Sequence, residues 1–139
     1  MEVVPTGPSD RDDQYSYDRA SVLAAIAPHP LLEAALALPS AVRTEFPMLV
    51  RVCPWIVSHY IDESLWIEPQ DVRQLERELD RLIRITRRHE FIRGLDGGNV
   101  WQHWRGPHSS DEEFSTRLAQ LVAVLHVASV KDAWVHLMM

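Results

Sequence analysis

The segment EPQDVRQLERELDRLIRITRRH, residues 68–89, constrains this fold more than any other part of the sequence. Val72, Leu75, Leu79, Leu82 and Thr86 recur at spacings of three and four, so they share one helical face. Ile83 widens that stripe to the breadth expected of a helix packed on a core. Pro69 suits the first helical position, where its missing N–H costs nothing. Glu68 and Asp71 lie at the positive end of the helix dipole, and Arg84, Arg87 and Arg88 at the negative end. The pattern predicts one long amphipathic helix.

A second helix is expected from Ser109 or Ser110 to about Ser129. Ser109 with Glu112, or Ser110 with Glu113, has the capping-box spacing. Phe114, Leu118, Leu121, Val122 and Leu125 form its stripe, and Ala119, Ala123, Val124 and Val127 add apolar surface elsewhere. A helix apolar on so many sides is expected to be central. The closing KDAWVHLMM is apolar for a free tail, so it either packs back on the chain or meets a second copy in a homodimer.

The remaining segments are shorter. Residues 1–14 hold two prolines and the acids Asp10, Asp12 and Asp13, and read as a flexible N-terminal arm. Asp18 can cap a helix over Arg19–Ala27, and Pro30 can open another over Leu31–Leu38. Helix is also expected over about 40–53 and 54–62, although Met48–Val52 is too short for periodicity to exclude a strand. The resulting expectation is a mainly α fold. It comprises an arm at 1–14 and a compact multi-helix single domain at 15–139, with room for one short β-hairpin near residues 90–105.

Composition excludes several functions. A chain of 139 residues is one domain, and a net charge of -6 argues against nonspecific nucleic-acid binding. Cys53 is the sole cysteine, which rules out an intrachain disulfide and a cysteine zinc cluster, and a reducing compartment fits. The N-terminus lacks a basic stretch followed by an apolar core, and LAQLVAVLHVASV is too short to span a bilayer. Together these features predict a cytoplasmic protein that does not enter the membrane.

The stretch GLDGGNVWQHWRGPH, residues 94–108, holds four of the five glycines. Asp96-Gly97-Gly98-Asn99 signals a turn, fitting either a hairpin or a short helical turn capped by Asn99. It lacks both glycine-rich phosphate-binding patterns. His103 and His108, with Asp96, make an alternative polar site, but no specific metal pattern accompanies them. His89 and Glu90 could complete a ligand set only if the fold brought them together. Trp101 and Trp104 plug the core or anchor a partner.

Cys53 is followed by Pro54, and His59 stands where a phosphatase cradle needs arginine, so Cys53 reads as a buried small hydrophobe. His59, Asp62 and Glu63 share about one helical turn and read as a solvated helix end. His126 is expected to be a core histidine with a satisfied hydrogen bond. No catalytic residue, metal ligand or cofactor-binding residue is assigned.

The most distinctive pattern is cationic. Arg73, Arg77, Arg81, Arg84 and Arg88 occupy an arc of roughly 80°, opposite the leucine stripe. Glu76, Glu78 and Asp80 temper this row as a solvated face, while arginine's planar fork suits carboxylate or phosphate partners. With Trp101 and Trp104, these arginines are the partner-contact candidates. The functional expectation is a small cytoplasmic, non-catalytic protein-interaction or inhibitor-type protein. It is immunity-like by analogy of type, with no shared motif, and its partner is a protein. The alternative is a small enzyme or ligand-binding protein using loop 94–108.

Overall fold

The computed structural model describes residues 1–8, 21–27, 31, 34, 44–52, 65–87 and 111–137. Within them lie seven elements: β1 (Glu2–Val4), β2 (Ala24–Ala25), α1 (Pro47–Val52), β3 (Leu65–Ile67), α2 (Pro69–Arg87), α3 (Asp111–Val130) and β4 (Trp134–Leu137).

The four strands form one antiparallel sheet in the order β2-β1-β4-β3. The expected mainly α class is therefore corrected to mixed α/β, with three helices and a four-stranded sheet among the described residues. The physical reason is length. Strands of two to four residues are too short to show a period of two, and their partners lie far away in sequence. Ala24–Ala25 falls within the helix expected over Arg19–Ala27 but pairs with Val3 and Glu2. The hairpin considered near residues 90–105 lies outside the described residues, as do the helical turns expected at 54–62.

Both ends of the described chain are inner strands. Glu2–Val4, inside the segment composition marks as a flexible arm, pairs with β2 on one side and β4 on the other. Val3 and Val4 are fully buried, so the stretch is held by packing as well as pairing. The apolar end of the sequence has the same explanation. Trp134–Leu137 lies between β1 and β3, with Val135 and Leu137 fully buried. Docking within the chain accounts for this apolarity without a second copy.

Side chains alternate across a sheet, and the register separates two rows. Val3, Val135 and Ile67 are aligned and belong to the same core as the helix leucines. Glu2, His136 and Trp66 form the next row, on the opposite face. There the Trp66 and His136 rings stack at 4.4 Å. Gly7 passes so close to Trp134 that a Cβ would sit 2.6 Å from its ring, a separation no side chain tolerates.

Helix α2 follows its sequence pattern closely. Val72, Leu75, Leu79 and Leu82 are fully buried, and Ile83 nearly so. Ile67 and Val72, one residue before the cap and four after it, occupy hydrophobic-staple positions and are both buried. The Glu68 carbonyl accepts from the Asp71 and Val72 amides at 2.9 Å, closing the first turn.

Helix α3 packs against α2, and its Leu118, Leu121, Leu125 and Ala128 are all fully buried in the shared core. It is one-sided, not surrounded as expected: Ala119, Gln120 and Ala123 are exposed. Small alanines leave a helix face outwardly apolar at little cost, so apolarity all round did not imply burial all round.

The C-terminal end of α3 is a Schellman motif. The Ala133 amide donates to Ala128 at 2.9 Å, and the Asp132 amide to Ser129 at 3.3 Å. Asp132 takes the left-handed position with φ 52°, and the flanking Ala133 is buried. This turn sends the chain from α3 directly into β4.

Candidate functional site: the groove between α2 and α3

Over its described length the expected arginine row runs along an exposed face of α2. Its described members Arg73, Arg77, Arg81 and Arg84 are exposed, but they point into different local settings. Arg84 pairs with Asp80 one turn earlier at 2.8 Å. Arg81 pairs with Glu45 at 3.0 Å and lies over the Phe46 ring at 5.3 Å, bracing the entrance to α1. Arg73 pairs with Asp132 in the turn after α3. Among the described residues Arg77 donates only to the neutral Gln74 amide oxygen, at 3.2 Å. Among the described residues it is the member of the row without a carboxylate partner. Arg88 lies outside the described residues.

The acids expected to temper a solvated face have separate roles. Glu78 is buried, contrary to that expectation, because one edge of the α2 stripe faces α1. Its carboxylate accepts from the Met48 and Leu49 amides at 3.0 and 2.7 Å, and from Gln74 at 3.1 Å. Phe46, which precedes the first residue of α1, has no side-chain oxygen with which to cap it. Glu78 supplies that cap from another helix. Its position three residues after Leu75 and four before Leu82 was the available sequence signal. Arg51 adds a further tie to Asp71 at 3.0 Å.

On the other flank of α2, Glu76 faces α3. One carboxylate oxygen accepts from His126 Nδ1 at 2.7 Å, and the other accepts from the Ser129 hydroxyl. His126 is exposed at the helix surface, not the core histidine expected from the apolar sequence around it. Its position three residues before Ser129 puts both side chains on the α3 face beside Glu76.

These residues line an open groove of about 530 Å³ between α2 and α3. Arg73, Glu76, Arg77 and Asp80 contribute from α2, while Val122, His126, Ser129 and Val130 contribute from α3. Val130 is 71% exposed, a large apolar side chain held in water at one end of the groove.

The Ser129, His126 and Glu76 set resembles a hydrolytic triad in composition but not in connection. A serine nucleophile must bond to the imidazole that deprotonates it. Here serine and histidine both bond to the carboxylate, so the arrangement ties two helices together.

Among the described residues no group of three or more histidine, cysteine or acidic side chains could hold a metal ion. None of their helices is long and apolar enough to cross a membrane. Asp96, His103, His108, Trp101 and Trp104 lie outside the described residues. The same holds for Cys53, His59, Asp62, Glu63, His89 and Glu90.

Comparison with protein-family models, with curated proteins and with solved structures finds no match to this chain.

Proposed function

We propose that this chain is a small non-catalytic protein-interaction or inhibitor-type module of the cytoplasm, meeting its protein partner through the α2/α3 groove. The observation that carries this reading is the joint exposure of Val130 and Arg77 on one recessed face. An apolar side chain held in water beside a guanidinium without a carboxylate partner among the described residues is the combination an interface core uses. Apolar contact supplies affinity there, and arginine is enriched among the residues that anchor such contacts.

The surrounding polar groups support recognition over reaction. Glu76 has both oxygens engaged by α3, and Asp80 is held by Arg84. They therefore present a fixed shape. The acidic balance of the whole chain, -6, favours a partner that is basic overall, which electrostatic steering would bring to it faster.

The test is quantitative affinity capture from cells that make the protein, comparing wild type with Arg77→Glu, Val130→Asp and Val50→Asp. Val50 is an exposed apolar residue on α1, away from the groove, and controls for a nonspecific effect of added charge. One protein species should be captured by wild type and by Val50→Asp, and lost from both groove variants. Equal capture by all four forms would overturn the proposal.

A further inference from the structure

The geometry points to the α2/α3 groove as a receptor for an apolar protein segment carrying one carboxylate, which Arg77 binds. This rests on the interaction function proposed above and specifies the chemistry of the partner segment.

The inference follows from how charge is distributed in the groove. Arg73 is paired with Asp132, Asp80 with Arg84, and Glu76 with His126 and Ser129. Arg77 alone among the described arginines of the row has only a neutral acceptor, Gln74 Oε1. The row thus leaves one guanidinium that contacts no carboxylate among the described residues. A guanidinium presents a planar pair of donors that matches the two oxygens of a carboxylate.

The same distribution disfavours phosphate. A phosphoryl group brings up to about two negative charges. It would enter beside Glu76 and Asp80, which already line the groove. One carboxylate can take the two donors of Arg77, whereas a doubly charged group would meet stronger repulsion from Glu76 and Asp80.

The non-polar part of the ligand is set by Val122 and Val130, which flank the histidine on α3. An apolar side chain laid across them removes the exposed Val130 surface from water. His126 adds a directional contact. Its Nδ1 donates to the Glu76 carboxylate, which can only accept. In the neutral ring the other nitrogen is then an acceptor turned away from Glu76, suited to a backbone N–H of the bound segment.

A random dodecapeptide phage library selected on the full chain tests this directly, with parallel selections on Arg77→Ala and Val130→Asp. Both positions are exposed, and unchanged thermal unfolding of each variant would show that its fold is intact. The leading peptide is then synthesised in three forms: as selected, with its acidic residue changed to the amide, and with phosphoserine in its place.

The expected peptides are apolar with one Asp or Glu. Arg77→Ala and the acid-to-amide change should each weaken binding about tenfold, and together little more than either alone. Val130→Asp should abolish enrichment. The inference is overturned if no peptide enriches, if binding ignores Arg77 and the acidic residue, or if the phosphoserine form binds more tightly. Each of these results leaves the interaction function standing, because capture of the cellular partner by groove variants tests that separately.

Discussion

Glu78 ties α1 to α2 through two buried hydrogen bonds. Its carboxylate satisfies two backbone donors of a helix it does not belong to, inside the core. In Glu78→Gln one oxygen becomes an NH2 group, which faces a backbone N–H and leaves it unsatisfied. A buried donor without a partner costs about 1–3 kcal/mol, and the lost charge-assisted bond adds to that. Glu78→Gln should therefore lower unfolding free energy by about 2–3 kcal/mol in urea titration. A change under half of that would mean the cap contributes little.

His136 makes a prediction in pH. Burial in the sheet pushes its imidazole below the ordinary histidine value, with the neighbouring Glu2 carboxylate opposing the shift. The unfolded chain titrates near about 6.5, so below that pH it binds a proton the folded chain refuses. Stability associated with His136 is complete above that value and is lost as pH falls towards the lowered folded value, below which the loss is constant. His136→Phe keeps a ring against Trp66 and removes the titration. Its unfolding free energy should fall less steeply than that of wild type between about pH 6.5 and 5, and equal slopes would refute the assignment.

Among the elements, α2 was legible in sequence and the strands were not. Nineteen residues with a clean apolar stripe carry their own boundaries, and Pro69 lies at the first helical position, where the pattern puts it. By contrast, Val3 pairs with Val135, a partner no local window contains. Glu78 reads as a surface acid unless α1 is known to pack beside it. His126 reads as core because its neighbours are apolar, although the helix turns it outward beside Glu76.

The end of α3 tests element-level reasoning by substitution. Asp132 holds a left-handed conformation that disfavours a Cβ, while its carboxylate pairs with Arg73. Asp132→Gly and Asp132→Ala both remove the exposed ion pair, but only alanine keeps the strained Cβ. The glycine variant should be more stable than the alanine variant by about 1 kcal/mol in chemical denaturation. The reverse order would contradict the Schellman assignment.

At the scale of the molecule, the two termini of the described chain form the middle of the sheet, and the helix pair α2/α3 covers it. The short edge strands β2 and β3 offer little backbone for another chain to pair with. The helical groove is therefore the surface proposed for a partner. The arginine row that dominates the sequence is divided by this architecture. Arg81 braces α1 and Arg73 braces the turn into β4, whereas Arg77 has no carboxylate partner among the described residues.

A photo-crosslinking amino acid placed in living cells at Val130, and separately at Val50, tests the central claim most directly. Both side chains are exposed, one at the groove and one on α1, so they report the two surfaces equally well. The predicted result is a single discrete adduct from position 130, abolished by Arg77→Glu, and none from position 50. An adduct from position 50 alone, or one from position 130 indifferent to Arg77, would contradict it.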